Sequence, residues 1–131
     1  MEKKDKNNLI GITALLVHAA KIDEIYTESE KEIVKKFIGL SIESDSECKD
    51  IMLKAEKLEL NSNQLLDFTN LIKKESLESK TEIIRNLWKI IISDKKIDQF
   101  ESNLIRRICG LIYFPDKLSG EIKLKILELK S

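Results

Sequence analysis

Two stretches of the chain repeat one another at a distance of 71 residues, and this repeat limits the available folds more than any other feature. Laying residues 12–40 over the segment 71 positions later pairs Leu16 with Leu87, Asp23 with Asp94 and Glu30 with Glu101. It also pairs Gly39 with Gly110 and Leu40 with Leu111. Apolar residues correspond at Tyr26/Ile97, Ile33/Leu104, Val34/Ile105 and Phe37/Ile108, and cations at Lys35/Arg106 and Lys36/Arg107. The matches fall at the same turn, the same helix start and the same helix end. In each copy an acidic stretch, residues 23–30 or 94–101, follows an apolar run and precedes an amphipathic one. We read two helix–turn–helix units, about residues 9–40 and 80–111, related by a pseudo-twofold with the first and fifth helices central.

Composition agrees with a helical reading. Four glycines and one proline leave few breaks, and Lys, Glu, Leu and Ile are abundant. At 131 residues the expectation is one domain, residues 1–131, burying roughly two-thirds of its unfolded surface. Twenty-three basic residues balance 23 acidic ones, which argues against a nucleic-acid partner. Cys48 and Cys109 form no CxxC pair and fall at apolar helical positions. They read as reduced core thiols of a cytoplasmic protein. The polar start shows no signal peptide, and no apolar run reaches the roughly 20 residues of a membrane span. Direct membrane insertion is therefore not expected.

Along the chain, residues 9–20 are apolar on nearly every side, the mark of a buried helix. Ile33, Val34, Phe37 and Ile38 set the second helix. Gly39 is expected to close it in the left-handed conformation, with Leu40 folding back as the apolar contact. Residues 44–58 and 61–74 read as third and fourth helices bridging the two units. Residues 79–93 are rich enough in isoleucine to suit a strand, but their length, start signal and place in the duplication favour a fifth helix. The sixth carries Phe100, Leu104, Ile105, Ile108 and Cys109 and ends by Pro115. In the tail, residues 115–131, apolar positions 118, 122, 126 and 129 suit a helix, while alternation at Ile122, Leu124 and Ile126 suits a strand. The expected fold is all-α, a compact bundle of about six to seven helices.

The acidic stretches have a structural explanation in part. Thr27 with Glu30, and Asp98 with Glu101, have capping-box spacing, as do Ser44/Glu47, Asn61/Gln64 and Ser79/Glu82. Asp23 and Asp94 are not covered by it. Each stands near the C-terminal end of an apolar helix, where the dipole makes an exposed carboxylate cost roughly 0.3–1 kcal/mol. Backbone N–H groups of the turn would offset that, and so would a divalent cation shared with the Glu seven residues on. The spacing is not that of an EF-hand loop.

An apolar helix, an acidic turn, an acidic cap and a second helix, used twice, resemble the TerB tellurite-resistance family and its TerB-like superfamily. The residues carrying the resemblance are Val17-His18-Ala19-Ala20-Lys21-Ile22-Asp23, Leu66-Asp67-Phe68-Thr69-Asn70-Leu71, the run from Ser79 to Trp88, and Leu87-Trp88-Lys89-Ile90-Ile91-Ile92-Ser93-Asp94, within about residues 9–114. The resemblance implies an all-helical bundle in a bacterial cytoplasmic protein tied to tellurite or chemical-stress responses. It implies action through metal or partner binding, and a class not known for enzymes. Carried over by position, the acidic residues are Asp23 and Glu30, then Asp94, Asp98 and Glu101, with Ca2+ or Mg2+ as the candidate ion. Glu24 and Lys95 stand where the family favours Gly, and Lys95 and Lys96 add positive charge beside the second cluster.

Other chemistry is sparse. His18, the one histidine, aligns with Lys89 and is expected on a polar edge. No G-x-S-x-G, P-loop or H-E-x-x-H motif occurs. Trp88 is expected in the core, and Lys35-Lys36 and Arg106-Arg107 at helix ends, where cations suit the dipole. The leading expectation is a non-enzymatic TerB-like module that binds a protein partner, with weak divalent-cation dependence. The alternatives are a small metal-dependent enzyme using Asp94, Asp98 and Glu101, and a purely structural or dimerising protein. Monomer and dimer both stay open.

Overall fold

The computed structural model describes residues 6–22, 26–62, 64–93 and 99–130, with the side chains of residues 99–101 and 130 excepted. These residues form seven α-helices: α1 (Lys6–Ala20), α2 (Glu28–Gly39), α3 (Asp45–Asn61), α4 (Leu66–Ile72), α5 (Leu77–Ser93), α6 (Gln99–Leu111) and α7 (Asp116–Lys130). No strand occurs among them, so the isoleucine-rich segment and the tail are both helical. α5 keeps Ile83, Ile84, Ile90, Ile91 and Ile92 inside. Burial of that face outweighs the strand preference of β-branched residues.

Helix starts reveal a longer repeat than the sequence suggested. α1 and α5 begin at Lys6 and Leu77, α2 and α6 at Glu28 and Gln99, α3 and α7 at Asp45 and Asp116. Each pair differs by 71. Identities continue in the third pair at Asp45/Asp116, Ile51/Ile122, Leu53/Leu124, Lys54/Lys125 and Leu58/Leu129. α3 is therefore the third helix of the first repeat rather than a bridge, and α7 is its counterpart. Only α4 links the two. Within each repeat the first helix packs on the second and third, and the second on the third; α1 and α5 also pack together. One apolar core, holding Leu9, Leu15, Phe37, Phe68, Leu87 and Ile108, spans both repeats.

Local details correct several expectations. Gly39 is not left-handed: no described glycine has positive φ. α2 ends on Leu40 at φ −66°, and that side chain is 53% exposed rather than folded back. Among the described residues the left-handed one is Tyr113, at φ 60°, just beyond α6. There the Phe114 N–H reaches back to the Cys109 carbonyl at 2.8 Å, and both side chains are buried, a Schellman closure with tyrosine in the glycine position. Asn61 ends α3 instead of starting α4. α4 starts at Leu66 without a side-chain cap, which leaves it a short helix. α5 is capped by Ser76, whose Oγ accepts the Ser79 N–H at 3.1 Å; Glu82 pairs with Arg85 instead. The Ser44 cap of α3 is as expected, accepting the Glu47 N–H at 3.4 Å.

Among the described glycines, Gly11 is the one with a neighbour where a β-carbon would stand. A methyl group there would displace the tip of the Leu71 side chain of α4, which rests against α1 at this point.

Candidate functional site

The first acidic turn is built from the start of α2. Thr27 Oγ1 accepts the Glu30 N–H at 3.1 Å, and Glu30 Oε1 accepts the Thr27 N–H at 2.7 Å. Glu30 is 1% exposed. It is buried because it completes this box, and one carboxylate oxygen is thereby committed to backbone. Beside it, burial and then the Glu56 carboxylate push the Tyr26 phenol well above its usual range. Lys31 Nζ lies 5.0 Å from that ring's centroid.

Asp23, Asp94 and Asp98 lie outside the described residues, as does the Glu101 side chain, although Glu101 itself is in the first turn of α6. Among the described residues no group of three His, Cys, Asp or Glu side chains comes together to hold a metal. Glu30 alone supplies far fewer oxygens than the six to eight that Ca2+ takes.

A second feature surrounds His18. Its Nδ1 lies 3.3 Å from Glu59 Oε1, and Lys21 donates to Glu59 Oε2 at 2.8 Å. The Glu59 side chain is only 10% exposed and that of His18 39%. So His18 does sit at an edge, yet it is held by a buried carboxylate 41 residues away. Nothing local in sequence points to Glu59. His18 borders a half-open cavity of about 340 Å³ with Phe68, Leu65, Leu104 and Arg107. Ser62 shares the cavity, but its hydroxyl donates to Asp67 Oδ2 at 2.6 Å. No hydrogen bond joins serine to histidine among the described residues.

The third feature is the seam between α5 and α7. Trp88 is 5% exposed, as expected of a core residue, and donates from Nε1 to Ser119 Oγ at 2.9 Å. Lys123 Nζ stands 5.1 Å from its ring centroid, a cation–π contact. Alongside, a cavity of about 370 Å³ opens to solvent. Its floor is Phe114, Leu118, Ile122 and Ile126, and its rim holds Arg85, Lys89 and Lys125 with Glu121. Leu129, 88% exposed, lies at its edge. Sequence reading left residues 115–131 open between helix and strand, and with them this seam.

Both cysteines are free; Cys109 lies in the core as expected, whereas Cys48, at the start of α3, is only half-buried. Burial pushes the Cys109 thiol up to about 11. The Cys48 thiol is also raised, by desolvation first and then by Asp45 and Glu47.

Fold and site together define an all-α module of two three-helix repeats with a capped acidic turn and open surface clefts. The chain belongs to the TerB family: the family model for "Tellurite resistance protein TerB" matches residues 9–124, from α1 into α7. This bears out the resemblance read from the two turns. No curated protein and no solved structure matched the chain. None of the described helices is long and apolar enough to cross a membrane.

Proposed function

We propose that this TerB-family module acts without catalysis, in the cytoplasm of a bacterium meeting tellurite or related chemical stress, by docking a protein partner. The observation that carries this reading is the α5/α7 seam, an open apolar floor with a basic rim. Protein interfaces centre on such apolar patches, while surrounding charge selects the partner. Weak binding of Ca2+ or Mg2+ at the turns of Asp23 and Glu30, and of Asp94, Asp98 and Glu101, belongs to the same proposal as a modulating ligand.

Capture of partners from native lysate tests the docking reading. Wild type is compared with Lys125→Glu/Leu129→Glu and with Asp23→Asn/Asp94→Asn. Loss of the captured set from the first variant alone places docking at the seam. An unchanged set from that variant removes the seam from the function. Millimolar Ca2+ or Mg2+ followed by amide shifts tests the ion; silence at residues 22–30 and 93–101 would end that part.

A further inference from the structure

The two repeats differ in what covers their first helix. On α1, α4 packs directly: Leu71 lies against Gly11, and the Phe68 ring lies 6.2 Å from that of His18. Seventy-one residues on from Gly11 and His18 stand Glu82 and Lys89 on α5. Lys89 lines the open cavity of the α5/α7 seam. On α1 the seated element is a short amphipathic helix presenting a leucine and an aromatic ring, and it rests on α1 and α6 rather than over the α1/α3 seam.

Charge then separates the two faces. Position 14 is a buried alanine on α1, and its counterpart on α5 is Arg85. Arg85, Lys89 and Lys125 face one acid, Glu121, around the cavity. Arg85 is paired with Glu82 within its own helix. Among the described residues neither Lys89 nor Lys125 has an ion-pair partner. The floor is apolar and the rim, with Lys89 and Lys125 against the one acid Glu121, keeps a net positive charge, which favours an occupant with the opposite pattern. Glu82, where α1 has Gly11, keeps that occupant off the α5 backbone and over the seam toward α7. Leu129, 88% exposed, extends the apolar surface at the end of α7.

We infer that the α5/α7 seam takes a short acidic amphipathic helix from a protein partner. This rests on the docking reading above and gives it a partner chemistry. Apolar anchors at i, i+3, i+4 and i+7 fill the floor over Leu118, Ile122 and Ile126, and flanking carboxylates meet Lys89 and Lys125.

The test uses the full chain, labelled with 15N, and two stapled helical peptides of about twelve residues. Both carry leucines at i, i+3, i+4 and i+7; one has glutamates on its flanks, the other lysines. The acidic peptide is expected to give saturable amide shifts at Arg85, Lys89, Leu118, Ile122 and Lys125, and the basic one none there. In Lys89→Glu/Lys125→Glu the acidic peptide should bind at least tenfold more weakly and the basic peptide should gain. Both positions are exposed, so folding is retained, and the spectrum itself verifies it. Absence of α5/α7 shifts at millimolar acidic peptide would overturn the inference, as would equal binding of both peptides or a charge reversal without effect. If lysate capture is lost in Lys125→Glu/Leu129→Glu while the acidic peptide leaves the seam unshifted, the acidic helix is wrong and docking stands. If the peptide binds as expected while capture is unchanged, the chemistry of the seam stands and the docking function falls.

Discussion

The seam between α1 and α3 is closed, and the equivalent seam between α5 and α7 is open. α1 packs along α3 more extensively than α5 along α7. The difference traces to residues at matched positions. Ala14 and Ala55 are fully buried in the first repeat; 71 residues on stand Arg85 and Ile126. Small side chains let two helices approach, since interaxial distance follows the residues at the contact. A guanidinium needs water, so Arg85 keeps the second seam in contact with solvent. Trp88 and Ser119 replace Val17 and Cys48 at the core of the second seam, and their hydrogen bond joins the helices beneath the opening. One repeat is built for packing, while its copy keeps the architecture and leaves a surface available.

Moving residues between the repeats should expose that asymmetry. Ala14→Arg would place a large cation in a closed core, adding overpacking to desolvation, and should cost more than about 3 kcal/mol. A thermal melt should show loss of the cooperative transition or a sharply lower midpoint. The reciprocal Arg85→Ala should stay within about 1 kcal/mol, because that site is already wet. Next in size is Ser119→Ala, which strands the Trp88 N–H in the core and should cost about 1–2 kcal/mol by denaturant unfolding. Its counterpart Cys48→Ala should cost less than half as much, since the thiol is partly exposed and its donation to the Ile42 carbonyl is weak, at 3.4 Å.

The turns differ as well. Thr27→Ala removes the capping box of α2 and should cost about 1 kcal/mol. At the far end of the repeat, α2 leaves through right-handed Leu40, whereas α6 leaves through left-handed Tyr113. A β-carbon there is strained by roughly 1–2 kcal/mol. Lys73 over the Tyr113 ring, 5.6 Å from its centroid, returns about 0.5 kcal/mol. Tyr113→Gly should therefore stabilise by up to about 1 kcal/mol, read as a raised melting midpoint. The smallest effect is kinetic. With the Cys109 thiol raised to about 11 by burial, its reactive thiolate is scarce at pH 8 and gains only as pH climbs toward that value. Maleimide should therefore label half-buried Cys48 first, with Cys109 following on alkalinisation or unfolding.

Helix content and the repeat were legible because both depend on local patterns: apolar periodicity, few breakers, the Thr27/Glu30 box and the Ser44 cap. The third helix of each repeat was not recognised as part of the duplication. Residues 115–131 could be read with either period, and α3 and α7 correspond mostly at surface leucines and lysines, which carry little core signal. The Asn61 and Ser79 boxes misled because Ser/Asn with Glu/Gln three residues on is common in a polar chain, while helix starts here follow where α3 and α4 pack. The Glu59 hold on His18 and the α5/α7 opening arise between distant segments. Neither leaves a periodic trace.

The identical pair Lys54 and Lys125 tests the asymmetry most directly. They occupy matched positions on α3 and α7 and both are exposed, and only Lys125 borders the open seam. Partner capture by Lys54→Glu and by Lys125→Glu should be compared at equal stability. Capture is expected at wild-type level for Lys54→Glu and at least tenfold weaker for Lys125→Glu. Equal loss in both, or loss only in Lys54→Glu, would contradict the asymmetry.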